Sequence, residues 1–337
     1  MIEPKPQHPV RLQPTDAILA VNHRCNTFCS MCDIWSKPDR NELPPDFYRR
    51  LPKSLKNINI SGGEPFMRDD LPQIIAVLRE HLDRPRFVFS TNGMLTDKIV
   101  RQAVEMAPVA IRVSVDGVGP VHEKIRNVKG CFERIMGTVR GLQKAGITDL
   151  GLACTGSKDN PGALGEVKKL AEEMGVDYVC SVVHSSEVYF GSQEDMVPRD
   201  PETRADLIDI STRQLRSHRP KDWFRAYYTD GILDYIDKKP RREACVAATR
   251  HIYVNNRGVV YPCNILNRPL GDLTQMTWQE IEAAQHVPGV LDDVRGCKIQ
   301  CWMSCTVAPG MKANPIVPAA WIVKRWLSGA TPRSEKD

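Results

Sequence analysis

Apolar and polar positions switch between two periods along the chain. Alternating or wholly apolar runs at Ala17–Val21, Lys56–Ile60, Arg86–Phe89, Val109–Val115, Leu150–Thr155 and Asp177–His184 read as strands. Between them apolar residues recur every three or four positions, as at Leu71, Ile74, Ile75 and Leu78. This spacing predicts helices over Asp69–Leu82, Thr96–Met106 (Thr96 as N-cap), Phe132–Lys144, Gly162–Met174 and Pro201–Ser217, with a shorter one over Pro44–Leu55. Strand–helix units in series are the pattern of an α/β fold with a parallel sheet, whose chemistry sits at the strands' C-terminal ends.

The rhythm breaks over Arg219–Arg242, a stretch rich in charge and aromatics that reads as a connector. Beyond it, Tyr253–Tyr261 predicts a hairpin turning on Asn256-Arg257-Gly258, and Thr277-Trp278 opens a helix. Pro318–Leu327 places Trp321, Ile322, Trp326 and Leu327 beside Lys324 and Arg325, a short basic amphipathic helix. Such a helix either packs on the folded domain or makes a weak contact with a membrane surface or lipid-bearing substrate.

Composition narrows the class. With 42% hydrophobic and 26% charged residues and a net charge of +5, the 337-residue chain is of ordinary globular type. No basic block is interleaved with aromatics, so nucleic acid is not an expected partner. Residues 1–15 are Pro-rich without an apolar core segment, and no run of 18 apolar residues occurs, so a cytoplasmic location is expected. In that reducing compartment eleven cysteines read as metal ligands before disulfides.

Three of them, Cys25, Cys29 and Cys32, lie in one loop directly after the first strand. Three thiolates can hold a [4Fe–4S] cluster while leaving one iron open to a small molecule. A zinc site completed by His23 is the alternative, although structural zinc usually takes paired two-Cys knuckles. The second strand runs into Ser61-Gly62-Gly63-Glu64, where two glycines permit close backbone approach and Glu64 adds a carboxylate. The third and fourth strands end in Asn92 and in Ser114 and Asp116.

Together, Cys25-Asn-Thr-Phe-Cys29-Ser-Met-Cys32 and the Gly-Gly-Glu segment resemble the radical S-adenosylmethionine (SAM) superfamily. The resemblance implies a partial (β/α)6 barrel, open on one side, over residues 13–218 after a tail at 1–12. It implies a cluster on Cys25, Cys29 and Cys32 and SAM contacts at Gly62, Gly63, Glu64, Asn92, Ser114, Asp116 and Arg126. Reductive cleavage of SAM to methionine and a 5′-deoxyadenosyl radical, which abstracts a hydrogen atom from substrate, is the implied chemistry. A reducing donor such as flavodoxin or ferredoxin is the implied partner. Met31 stands where the family often has an aromatic residue, so an adenine contact there would be thioether packing. Cys154 and Cys180, near the ends of the fifth and sixth strands, are candidate hydrogen donors or else core fillers. His184, Glu187 and Tyr189 follow the sixth strand as candidate substrate contacts.

After the connector (219–242), Cys245, Gly258 and Cys263, then Cys297, Cys301 and Cys305, resemble the SPASM and Twitch auxiliary-cluster domains. The implied module is a small cysteine-rich hairpin and helix domain over 243–310, followed by a tail over 311–337. Five cysteines imply one auxiliary [4Fe–4S] cluster held by four of them, with a structural zinc ribbon as the alternative. The expected substrate is a small molecule, glycan or lipid-type compound that is oxidised or epimerised, because the cysteine loop begins too early for a preceding leader-peptide domain. Peptide modification is the second expectation, and a non-catalytic electron-transfer or sensor protein the third.

Overall fold

The computed structural model describes residues 12–37, 39–191 and 194–329. The expected N-terminal tail, apart from Leu12, and residues 330–337 of the expected C-terminal tail lie outside the described residues.

Six parallel strands form the core: β1 (Asp16–Ala20), β2 (Asn57–Ser61), β3 (Arg86–Thr91), β4 (Ala110–Ser114), β5 (Leu150–Gly156) and β6 (Asp177–Val182). They neighbour one another in chain order, with Ile18 opposite Asn59 and Cys154 opposite Cys180. The crossovers are α1 (Leu71–His81), α2 (Thr96–Glu105), α3 (Pro120–Arg126), α4 (Cys131–Lys144), α5 (Ala163–Glu173) and α6 (Pro201–Arg216). Helix α1 buries Leu71, Ile74, Ile75 and Leu78, the stripe the spacing predicted. Burial of each such side chain is worth about 1.5–3 kcal/mol as an upper figure.

Two local expectations fail. Pro44–Leu55 holds only a 3₁₀ turn over Pro45–Arg50, since Leu51 precedes Pro52 and is extended. Thr96 is inside α2 rather than its cap; Leu95 is the N-cap, and the Thr96 hydroxyl pairs with Thr138 of α4 at 2.6 Å.

The connector is helical: α7 (Pro220–Ile236) packs on α6 and β6. Ten of its 17 residues are buried, from Ala226 and Tyr227 to Ile236. A helix enclosed on most sides lacks the one-sided stripe by which a sequence reveals it.

The cysteine-rich part shares the sheet. Strands β7 (His251–Val254) and β8 (Val259–Tyr261) form the expected hairpin, with Tyr253 opposite Tyr261, and β9 (Gly271–Asp272) extends it. Strand β7 also pairs in parallel with β1, giving one nine-stranded sheet in the order β6-β5-β4-β3-β2-β1-β7-β8-β9. Helices α8 (Trp278–Ala283), α9 (Val287–Arg295), α10 (Ser304–Ala313) and α11 (Ile316–Leu327) follow. Thr277 and Glu280 cap α8 reciprocally. Helix α10 lies on β1 and β7, and α11 on α7, where Trp321 meets Tyr227 edge-on at 5.6 Å. The outer face of α11 leaves Val323 and Leu327 exposed. Among the described residues no helix is long and apolar enough to cross a membrane.

Candidate active site

The site forms where β1 and β2 end. Asn22–Arg24 runs against Gly62–Glu64, with Gly63 N donating to Asn22 O (3.0 Å) and Glu64 N to Arg24 O (2.7 Å). A Cβ on Gly63 would sit 2.1 Å from Arg24 O, and one on Gly62, whose φ is +136°, 2.2 Å from Asn22 O. The paired glycines therefore let the two strand exits touch.

The cysteine loop then folds over the strand ends. Thr27 Oγ1 lies 3.4 Å from Cys25 Sγ and 3.5 Å from Cys29 Sγ. Phe28 N and Ser30 N, on either side of Cys29, donate to the carbonyls of Arg126 and Ile125 at 3.0 and 2.9 Å. Arg126 Nη1 donates to Cys29 Sγ at 3.6 Å, and Arg126 Nη2 pairs with Asp116 Oδ2 at 2.5 Å. Burial raises the Cys25 thiol above its ordinary value and pushes Cys32 up to about 12. A metal cation at the thiols would reverse that preference.

Glu64 is fully buried and does not border the cavity. Its carboxylate accepts from Phe66 N (3.1 Å), Thr91 Oγ1 (2.8 Å) and Asn92 N (2.7 Å), and burial raises its pKa to about 7. The group therefore fixes the end of β3. Asn92 Nδ2 in turn reaches Asn26 Oδ1 at 2.7 Å and Cys25 Sγ at 3.7 Å. Asp116, also fully buried, accepts from Thr155 N at 3.0 Å.

Between loop and strand ends is a cavity of about 210 Å³ bordered by the three cysteines, Met31, Gly62, Gly63, Asn92, Ser114 and Arg126. Thr155, Ser181, His184, Tyr189 and Met303 close it. A neighbouring cavity of about 340 Å³ lies against Cys25 and Trp35 and is bordered by His23, Lys37 and Met67. His23 is buried, and neither ring nitrogen meets a partner among the described residues.

Cys154 and Cys180 do not border the cavity. Side chains alternate along a strand, and Thr155 and Ser181 take the cavity face, so the two thiols point into the helix-covered core near Ala163 O and Thr229 Oγ1. Tyr189 is a brace: its hydroxyl meets Ser61 Oγ (2.7 Å) and donates to Gly62 O (2.8 Å). Glu187 is exposed.

His184 is buried and stacks on Tyr235 at 4.1 Å. It accepts from Trp302 N at 3.1 Å through Nε2, so its proton resides on Nδ1, which donates to Val182 O at 2.7 Å. Burial lowers its pKa to about 4, consistent with this neutral ring.

Trp302 ties that contact to the second cysteine group. Cys263 and Cys301 are buried together, with Cys245, Leu266 and Met303 against them. Burial and then the Cys301, Cys263 and Cys245 thiols raise Cys305. Cys305 packs against the same small buried cluster, which includes Ile18, Tyr189 and Tyr253, as Cys25 and Cys32 do. Arg241 Nη1 donates to Cys301 Sγ at 3.8 Å. Met303 borders the first cavity and packs on the second group, a role its place between two cysteines could not reveal.

Among the described residues, no three His, Cys, Asp or Glu converge as ligands of one metal ion do. Cubane ligands bind separate irons, so such convergence is not required of them. Buried thiols with N–H donors at sulfur suit iron–sulfur ligation, so both cysteine groups fit it in chemistry.

The radical SAM superfamily pattern matches residues 19–171. The chain is 31% identical over 205 residues to Fe-coproporphyrin III synthase of Methanosarcina barkeri, covering 58% of this chain and 51% of that protein, about half its length. It is 24% identical over 270 residues to a probable GTP 3′,8-cyclase of Methanococcus maripaludis, covering 76% of this chain and 86% of that one. The solved structure of anSMEcpe with bound AdoMet and Cp18Cys peptide superposes with a TM-score of 0.64 at 15% identity, over 94% of this chain and 99% of that chain; the likeness is one of fold. Residues 19–171 form a radical SAM domain, of a superfamily that uses a [4Fe–4S] cluster and SAM, and the cysteine-rich C-terminal part is consistent with an auxiliary-cluster domain of the SPASM/Twitch type.

Proposed function

We propose that Cys25, Cys29 and Cys32 hold the SAM-binding cluster and that the chain is an enzyme oxidising a small-molecule, glycan or lipid-type substrate. The observation that carries this reading is the cavity enclosed by exactly those three cysteines and the ends of β2 to β6. Cluster and SAM together supply a radical able to take a hydrogen atom from an unactivated carbon. The chain's own part is positioning and enclosure. Gly62, Gly63, Asn92 and Ser114 border the space for SAM, with Met31 beside it for the adenine. Glu64 acts indirectly, by fixing Asn92, and Asp116 by orienting Arg126. The inward packing of Cys154 and Cys180 supports oxidation over epimerisation, which needs a hydrogen atom returned to the substrate.

Cys245, Cys263, Cys301 and Cys305 are the proposed auxiliary ligands. Cys297 and Cys305 both lie outside the packed group of the first three; Cys297 acts electrostatically on Cys301, whereas all three thiols act on Cys305, which is why Cys305 is the proposed fourth ligand. The names of the compared proteins span an iron porphyrin, a nucleotide and a peptide, so substrate choice is the part to test. Anaerobically reconstituted protein with reductant and SAM is challenged with separate metabolite, lipid and peptide fractions, and 5′-deoxyadenosine is measured. Stimulation by the metabolite or lipid fraction is the expected result. Stimulation by the peptide fraction alone would replace it with peptide modification, and no SAM cleavage under any condition would favour an electron-transfer or sensor role.

A further inference from the structure

The Arg126 side chain bridges an acid and a proposed cluster ligand. Its guanidinium has Nη2 2.5 Å from Asp116 Oδ2 and Nη1 3.6 Å from Cys29 Sγ. Neither end is free to drift. The Arg126 and Ile125 carbonyls accept the amides of Phe28 and Ser30, so the backbone that carries the guanidinium also clamps both sides of Cys29. On the other side, Thr155 N donates to Asp116 Oδ1 at 3.0 Å, Asp116 N donates to His122 Nδ1 at 3.0 Å, and Asn160 Nδ2 donates to Asp116 O at 2.8 Å. Asp116 is wholly buried and Arg126 only 9% exposed, so water screens this row of charges weakly.

From this geometry we propose that Arg126 is a positioning residue that raises the reduction potential of the cluster on Cys25, Cys29 and Cys32 through its bond to Cys29 sulfur, and that Asp116 moderates the effect. The inference rests on the proposed ligand role of those cysteines. An electron added to a cluster spreads negative charge onto its sulfurs, and N–H donors and a nearby cation stabilise that charge. The buried carboxylate opposes it. This differs from the SAM-carboxylate contact implied by family resemblance, because two of the guanidinium nitrogens are already engaged by protein groups.

The test is a redox titration of the reconstituted full chain, followed by electron paramagnetic resonance without SAM, on wild type, Arg126→Gln, Arg126→Lys and Asp116→Asn. Arg126→Gln should shift the midpoint to lower potential, Asp116→Asn should shift it to higher potential, and Arg126→Lys, which keeps the charge but loses the fork, should lie between wild type and the Gln variant. Shifts of opposite sign are not expected from loosened packing alone. An unchanged midpoint in both Gln and Asn variants, or shifts in the same direction, would overturn the proposal. If Arg126→Gln fails to hold a cluster, the Asp116→Asn result decides by its sign. Unchanged potentials together with weakened SAM binding in Arg126→Gln would return the residue to the SAM-contact role. A wild-type protein with no reducible cluster on the three cysteines would fail earlier, at the ligand assignment itself.

Discussion

Replacing Gly63 with Ala tests whether the Gly-Gly segment serves the cysteine loop through backbone contact. The new Cβ would lie 2.1 Å from Arg24 O, 2.5 Å from Arg24 C and 2.9 Å from His23 O, all backbone atoms with no rotamer to yield. Carbon–oxygen contacts sit at about 3.3 Å or more, so the two segments must part by roughly 1 Å. That displacement stretches the 2.7 Å bond from Glu64 N to Arg24 O and the 3.0 Å bond from Gly63 N to Asn22 O beyond useful range. Two lost hydrogen bonds cost about 0.5–1.5 kcal/mol each, and overpacking a further 1–3 kcal/mol or so. The expected total is about 2–6 kcal/mol, against a typical domain stability of about 5–15 kcal/mol.

Urea unfolding of the apo protein measures this cost, and iron and sulfide per chain after reconstitution report whether the loop still takes up its cluster. Gly130→Ala is the control: its φ is +72° and nothing lies within 4 Å of the new Cβ, so only the left-handed backbone term of about 1–2 kcal/mol applies. A Gly63→Ala protein within about 0.5 kcal/mol of wild type, with full iron content, would refute the contact argument. So would a control penalised just as much.

Glu64 makes stability depend on pH. Its carboxyl rises from 4.5 to about 7 on burial, so the folded state binds the extra proton and stability falls as pH climbs through that window, by about 3 kcal/mol in full; Glu64→Gln should flatten the urea midpoints of apo protein there, and an unchanged slope would refute the assignment. Cys305→Ala should lose auxiliary iron while Cys297→Ala keeps it, as read by iron analysis and Mössbauer spectra; the reverse pattern would exchange their roles. Trp302→Ala removes a 2% exposed ring whose Nε1 donates to Tyr228 O at 2.8 Å, and should cost about 3–5 kcal/mol in urea unfolding; a loss below about 1 kcal/mol would show that the ring is not the anchor its packing indicates.

Much of the fold was legible because strands and exposed helices carry one-sided patterns. Helix α1 appeared at Leu71, Ile74, Ile75 and Leu78 because its other face meets water. Helix α7 escaped because Tyr227, Tyr228, Asp230 and Asp234 are buried along with its apolar residues, with Arg242 pairing both aspartates. The cysteine loop, the Gly-Gly turn and the strand ends were visible as motifs. Their detailed geometry was not. The family resemblance implied a SAM contact at Glu64, whereas its carboxylate accepts from Thr91 Oγ1 and the Asn92 amide and does not border the cavity. Spacing likewise put Cys154 and Cys180 near the strand ends, but one residue of register separates them from the cavity-facing Thr155 and Ser181.

The relation between the two cysteine groups follows from contacts far apart in sequence. Strand β7 pairs with β1, so the hairpin before Cys263 is in hydrogen-bond register with the strand that leads into the first cysteine loop. A second tie crosses at Trp302. Its amide donates to His184 beyond β6, its indole donates to Tyr228 of α7, and its ring occupies the space left by Gly231, where a Cβ would approach to 2.3 Å. Cys301 and Met303 flank this anchored residue, so one reaches the second cysteine group while the other borders the first cavity. A flexible linker would let the spacing between two redox groups vary. Here the sheet and Trp302 hold it, making separation of the groups a property of the packed core rather than of the connector.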